Sequence, residues 1–326
     1  MATNENILNG LSTRLRTIIE RYTQMNGWGG LEEIRLREDR PLMVIDSGRD
    51  GMLTAKGTTT RDVKRACVVS HDDIAGTLEL ISESSIYAFE DELKNGYITL
   101  RGGHRVGLAG RAVVEGGGIK TLRDITCLNV RITREIKGVS NKVISYIYKP
   151  SNGVYNTMIL SPPMAGKTTL LRDIVRNLSN GSRGRPGLKV GVVDERSEIA
   201  GCYNGLPQND VGIRTDVLDC CPKDLGMLML IRSMSPEVIC TDELGRKSDA
   251  DAILEACNAG VSVITTVHAS DVGELKSKPY VDMLVSGGIF GRFIVLGDSM
   301  GKGTVEDIYD GGLNSLTSGP MKGDVT

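Results

Sequence analysis

Nine consecutive residues set the terms for this chain: Ser161, Pro162, Pro163, Met164, Ala165, Gly166, Lys167, Thr168 and Thr169. An apolar run ending in Ile159 and Leu160 leads into them. Leu170, Leu171, Ile174, Val175 and Leu178 follow at helical spacing. Strand, tight loop and helix is the setting that a phosphate-binding loop requires. The loop's backbone N–H groups converge, and the helix N-terminus adds its positive end, so a triphosphate's charge is held there. Lys167 would reach the β- and γ-phosphates of ATP, and Thr168 would give its hydroxyl to Mg²⁺. Gly166 lets the backbone approach without a Cβ. One position departs from the pattern G-x-x-x-x-G-K-[ST]: Ser161 stands where the first glycine is expected, and the two prolines stiffen the loop. A chance Gly-Lys-Thr after a buried strand would look the same by itself, so the downstream partners decide.

The strongest of these is the strand-like run Pro236-Glu-Val-Ile-Cys-Thr-Asp-Glu243. Asp242 would hold Mg²⁺ through a water, because Mg²⁺ keeps most of its hydration shell. Glu243 would polarise the attacking water. Two exposed acids opening the next turn are the bland alternative. Asp194 and Glu195 end another strand-like run, at the sheet edge where ligands sit in open α/β folds. Glu195 would pair with a basic residue or help to order the water; a solvated loop is the competing view. His268 ends a further strand, Thr265 to His268, and would point to the γ-phosphate edge. Phosphoryl transfer also benefits from an arginine. Arg105, Arg111, Arg131, Arg134 and Arg292 are candidates, and spacing does not choose among them. No Asn-Lys-x-Asp element follows the loop, which argues against a GTPase.

At 326 residues the chain has the length of two domains. Around the loop, strands over 156–160, 188–193, 237–241, 261–267 and 291–296 alternate with helices over 167–179, 222–234, 248–258 and 278–286. That alternation predicts an α/β domain over 154–310 with a parallel sheet and helices on both faces. Residues 1–137 read as a smaller α+β domain, opened by one amphipathic helix over 4–26. Ser70 with Asp73 marks a helix start, and a second helix is expected over 85–94. Short strands are expected at 97–100, 105–108, 112–114 and 129–132. The glycine-rich stretch Gly102-Gly-His-Arg-Val-Gly107 lacks a following helix and reads as a hairpin. A linker helix is expected within 138–153, and 311–326 reads as a frayed tail.

Net charge is −2 and aromatics are 4% of the residues, which counts against a nucleic-acid-coating or base-stacking surface. No apolar run approaches the ~20 residues needed to span a bilayer, and the polar start does not read as a secretory signal. An intracellular protein is expected. The seven cysteines form no C-x-x-C pair, which suits free thiols and no zinc site.

With these residues assembled, the chain resembles the stage III sporulation protein AA family of endospore-forming bacteria over nearly its whole length. The carrying segments are Glu33-Ile-Arg-Leu-Arg37, Gly96-Tyr-Ile-Thr-Leu-Arg-Gly-Gly-His-Arg-Val-Gly107, Ser161 to Asp173, Val193-Asp-Glu-Arg-Ser-Glu-Ile-Ala-Gly201, Arg232-Ser-Met-Ser-Pro-Glu237 and Thr265-Thr-Val-His-Ala269. Ser-Pro-Pro in place of the first loop glycine belongs to that family's pattern. The family is in turn similar to the ATPases of type II and type IV secretion systems. This resemblance implies a RecA-like ATPase domain behind an added N-terminal domain, and a homo-oligomer, a hexameric ring being the candidate form. It also implies a cytoplasmic position, attached to membrane components of the channel between mother cell and forespore. Asp194 and Glu195 would match the acidic box, His268 the histidine box, and Arg131 a phosphate-side arginine. The competing functions are a nucleic-acid-translocating ATPase and a nucleotide-gated scaffold with negligible turnover.

Overall fold

The computed structural model describes residues 2–82, 93–94, 96–182 and 184–322. It divides into two compact units, Met1–Arg134 and Glu135–Thr326. None of the helices among the described residues is long and apolar enough to cross a membrane.

The first unit opens with two helices where the periodicity predicts one, α1 (Ala2–Asn9) and α2 (Thr13–Asn26). Gly10 closes α1, its N–H bonding to Asn6 and Ile7. The Ser12 side chain then accepts from the Leu15 N–H and starts a new helix. A serine cap competes with continuing the helix, and here it wins. A seven-stranded sheet follows in the order β4-β3-β2-β1-β7-β6-β5. Its strands are β1 (Leu31–Arg37), β2 (Met43–Asp46), β3 (Arg49–Leu53), β4 (Thr59–Thr60), β5 (Tyr97–Thr99), β6 (Arg105–Glu115) and β7 (Gly118–Arg131). Every pairing is antiparallel. α3 (His71–Ile81) starts where expected, with Ser70 and Asp73 closing a reciprocal cap. Apolar residues of the helices (Leu15, Ile19, Ile74) share one core with Ile34, Leu36, Val106 and Val130 of the sheet.

Two expected strands, 105–108 and 112–114, are one long strand. Its register slips between Ala109 and Arg111. A Cβ on Gly110 would lie 2.6 Å from the Asp124 carbonyl oxygen, so only glycine fits the close crossing. The stretch around His104 turns the β5–β6 hairpin, as read from the sequence. His104 is buried, and its Nδ1 accepts the Thr133 N–H at 3.1 Å. The helix expected over 85–94 lies, apart from 93–94, outside the described residues.

In the second unit the expected linker helix shrinks to a single turn, α4 (Ile144–Ile147). Val143, Ile144 and Ile147 are buried, so this segment is core rather than spacer. Lys149 precedes Pro150, which disfavours helical backbone there. The sheet has the order β10-β9-β11-β12-β8-β13-β14. Its strands are β8 (Thr157–Ser161), β9 (Val190–Asp194), β10 (Thr215–Asp219), β11 (Val238–Glu243), β12 (Ser262–His268), β13 (Arg292–Gly297) and β14 (Thr304–Asp310). All neighbours are parallel except β13 and β14, so the sheet is mixed rather than wholly parallel.

Helices α5 (Lys167–Asn180), α6 (Lys223–Met234), α7 (Lys247–Asn258) and α8 (Pro279–Ser286) cover its two faces. Leu171, Ile174 and Leu178 of α5 pack with Ile159, Val192 and Ile264. Met227, Ile253 and Leu284 of the other three pack with Met158, Leu160 and Val263. The alternation of Met158, Ile159 and Leu160 between these cores is the two-residue period of a strand buried on both faces.

Residues 311–322, expected to fray, instead fold back along β14. Carboxylate oxygen Oδ1 of Asp310 accepts the Gly312 and Asn314 N–H groups and reverses the chain. Val305 and Met321 then exchange backbone bonds of 2.8 and 2.7 Å. Met321 packs against the core.

Candidate active site

The loop and its helix take the form the sequence demands. β8 is buried along its whole length and ends at Ser161. The chain turns through Pro162 and Pro163, with Met164 and Gly166 in left-handed backbone at φ 63° and 97°. Ser161, the departure from the glycine pattern, turns its hydroxyl onto the Pro162 carbonyl at 2.7 Å. Ala165 is buried and Met164 stands exposed at the tip. No side chain caps the start of α5, where Lys167, Thr168 and Thr169 form the first turn. Its first N–H groups therefore lack a side-chain acceptor and suit an anion.

Parallel register brings the other expected residues to the same edge. His268 lies opposite Ser161 across β12 and β8, and Glu243 opposite Thr266 across β11 and β12. Lys167 Nζ is 2.8 Å from His268 Nδ1, and His268 Nε2 is 3.2 Å from Glu243 Oε2. An ammonium only donates, so Nδ1 accepts from Lys167, while Nε2 faces the Glu243 carboxylate. Lys167, His268 and Glu243 thus form one continuous chain of contacts. Burial lowers the Lys167 ammonium from its ordinary value, with Glu243 and Asp242 opposing that shift.

Asp242 faces a residue that the sequence reading missed. Lys223, the first residue of α6, is buried, and its ammonium contacts Glu195 and lies 3.1 Å from Asp242 Oδ1. Glu195 also stands 3.9 Å from Arg246, so of its two expected roles the structure displays the pairing with basic residues. Burial raises the Asp242 carboxyl and Lys223 opposes it. Although the two groups are close, the contact lacks hydrogen-bond alignment, and buried Oδ1 has no hydrogen-bond donor. An oxygen in that state suits a cation or a cation-bound water, and Thr168 opens the helix beside the loop. These residues fit Mg²⁺ held by few protein groups plus phosphates. No cluster of three or more acidic, His or Cys groups among the described residues would hold a metal unaided. A lysine in a first helical turn opposes the helix dipole and so calls for nearby carboxylates; that was the available signal for Lys223.

Asp194 turns away from this chemistry. It is fully buried, and its carboxylate accepts the N–H groups of Glu198, Ile199 and Ala200 at 2.8, 2.9 and 2.8 Å. Burial pushes its carboxyl up to about 6 against those bonds, and Asp219 and Asp242 add to the shift. Arg172 of α5 holds the other side of the same segment, donating to the carbonyls of Ile199 and Glu198 at 2.6 Å each.

The arginines are dispersed. Arg292 donates to the Tyr146 and Gly291 carbonyls and lies 3.8 Å from the centre of the Tyr155 ring. Arg105 covers Tyr97, Arg134 donates to the Trp28 and Leu31 carbonyls, and Arg111 stands 4.0 Å from Asp124. Arg131 ends β7 exposed, opposite Glu33 and Arg105 in register. These last four belong to the first unit. Beside the loop is a cavity of about 250 Å³ lined by Ile136, Val139, Thr169, Leu170 and Leu296, with Lys302 and Lys322.

Residues 1–315 match the family described as Sporulation stage III, protein AA. The stage III sporulation protein AA of Bacillus subtilis (strain 168) is 46% identical over 294 residues, covering 90% of this chain and 91% of that one. Among solved structures, the pilus retraction motor PilT with bound ADP is similar at a TM-score of 0.57 and 14% identity, covering 87% of this chain and 78% of that one. The Legionella pneumophila ATPase DotB gives a TM-score of 0.54 at 16% identity, covering 85% and 74%. At such identities the likeness is one of fold.

Proposed function

Because the chain belongs to the stage III sporulation protein AA family, we propose that it is an ATP-hydrolysing motor of the secretion-ATPase type. The observation that carries this reading is the contact chain from Lys167 through His268 to Glu243. It joins the residue suited to grip phosphate with the residue suited to activate water.

Lys167 and the first amides of α5 bind the β- and γ-phosphates, and the cavity beside Thr169 and Leu170 takes the nucleoside. Thr168 and Asp242 would hold Mg²⁺, which would neutralise charge on the phosphates. Glu243 orients the attacking water and accepts its proton. His268 gives up Lys167 when phosphate arrives, so the nucleotide state reaches Glu243 through one imidazole. Glu195 acts through Lys223 rather than on the phosphates. Arg131 is proposed as a phosphate-side arginine of the assembled protein. Assembly is a homo-oligomeric ring, a hexamer by likeness, on the cytoplasmic, mother-cell side of the membrane. Its partners are membrane components of the sporulation channel.

Phosphate release by the full chain in ATP and Mg²⁺ tests the reading. Slow turnover that disappears in Glu243→Gln supports it, while a chain that binds no ADP and releases no phosphate refutes it.

A further inference from the structure

We propose that Lys223 is the resident counter-cation of the acid site, and that Mg²⁺ entering beside Asp242 displaces it from that carboxylate. The inference rests on reading Asp242 as a metal-site acid.

Lys223 is 7% exposed, in a place with little to recommend a buried cation. It follows Pro222 at the first position of α6, where the helix dipole disfavours positive charge. Its ammonium is placed between two carboxylates from separate strand ends, Glu195 after β9 and Asp242 on β11. A purely structural ion pair would be complete with Glu195 alone. The additional approach to Asp242 Oδ1 is short but misaligned, so that oxygen is neutralised without being hydrogen-bonded. A monovalent charge near an orphaned carboxylate oxygen is the arrangement that a divalent ion outcompetes, because it brings twice the charge and its own bound waters.

Two acids against one ammonium leave the group net negative, and Asp194 and Asp219 stand behind it on β9 and β10. Arg246 lies near Glu195 but is 72% exposed along its side chain, so water screens it. When Mg²⁺ takes Asp242, Lys223 stays with Glu195. The start of α6 is thereby released from the metal site while remaining tied to β9. Metal arrival and the freeing of one end of α6 become a single exchange.

The test compares the full wild-type chain with Lys223→Met, which keeps length and removes charge. Thermal unfolding is followed against Mg²⁺ alone, and fluorescent ADP binding against Mg²⁺ concentration. Lys223→Met is expected to reach half of its Mg²⁺ effect at about tenfold lower Mg²⁺. Lys223→Arg should titrate like the wild type. ADP affinity without Mg²⁺ should match between wild type and Lys223→Met. If the methionine chain does not fold, Lys223→Gln, which keeps a donor between the acids, is expected to show the same leftward shift. Superimposable Mg²⁺ titrations, including two flat ones, overturn the proposal, as does a higher Mg²⁺ requirement in the neutral variants. A wild type that binds no ADP refutes the ATPase reading instead, and the Mg²⁺-alone titration still decides the role of Lys223.

Discussion

Lys167 and His268 are joined by a 2.8 Å contact between Nζ and Nδ1. The lysine expected to hold phosphate is therefore already held, by a side chain from the neighbouring strand. Phosphate must replace an imidazole nitrogen as its partner. Lys167→Ala is expected to weaken ATP and ADP binding about 10- to 100-fold, the loss of one charge-assisted contact. His268→Ala should lower kcat while shifting ADP affinity by only about twofold, because its contribution lies in coupling rather than grip. Direct titration of a fluorescent nucleotide reads both, and unchanged affinity in Lys167→Ala would remove the phosphate-loop assignment.

Asp242 and Glu243 are adjacent yet face different partners, Lys223 and His268. Glu243→Gln is expected to bind Mg²⁺-ATP normally and to lose about 10²–10⁴-fold in turnover. Asp242→Asn should instead raise the Mg²⁺ concentration needed for half-maximal rate. Turnover against Mg²⁺ for both variants separates the roles. If the two curves coincide, the division of labour is wrong.

Asp194 gives a pH signature of definite sign. Its folded carboxyl is raised from an ordinary 3.8 to about 6. Between those values the folded protein keeps a proton that the unfolded chain has released. Its contribution to stability therefore falls as pH rises through that window and is level above it. Asp194→Asn removes the titration. The stability of the wild type relative to this variant should drop by about 2–3 kcal/mol from pH 4 to pH 7. Denaturant unfolding at several pH values measures it, and a difference that grows with pH would contradict the assignment.

The folded-back segment after β14 predicts a cost for trimming. Ending the chain at Asp310 removes the Leu316 bond to Ile308, the paired bonds of Met321 and the packing of the Met321 side chain. A loss of about 2 kcal/mol is expected, visible as a lower unfolding midpoint. An unchanged midpoint would mean that the segment frays as its composition suggests.

Much of the second unit was legible because several of its strands are apolar runs, and β9, β11 and β12 end in acids or histidine. The strands expected over 188–193 and 237–241 appear as Val190–Asp194 and Val238–Glu243, within two residues at each end. β10 was not legible: Thr215–Asp219 is half-buried throughout and carries Asp216 and Asp219, so no apolar run marks it. β14 hides similarly behind Glu306 and Asp307. The single helix expected over 4–26 failed because apolar spacing continues across Gly10 and Ser12, while the backbone obeys the cap. Lys223 escaped since its partners lie far away in sequence. The acid at Asp194 was legible, but its turn toward three amides depends on the path of residues 197–200, which no local pattern encodes.

That short segment is gripped from two sides. β9 takes its N–H groups through Asp194, and α5 takes its carbonyls through Arg172. Arg172 sits on the same helix whose first turn carries Lys167 and Thr168. Were nucleotide capture to turn α5, the Arg172 bonds would hand that motion to Glu198 and Ile199, as a crank hands motion to a rod, without passing through Glu243 or His268. Amide hydrogen exchange at Ile199 should change when ADP binds, and in Lys167→Ala the same change should need about 10- to 100-fold more ADP. One binding event would then have two outputs, one chemical at the strand edge and one mechanical at residues 198–200.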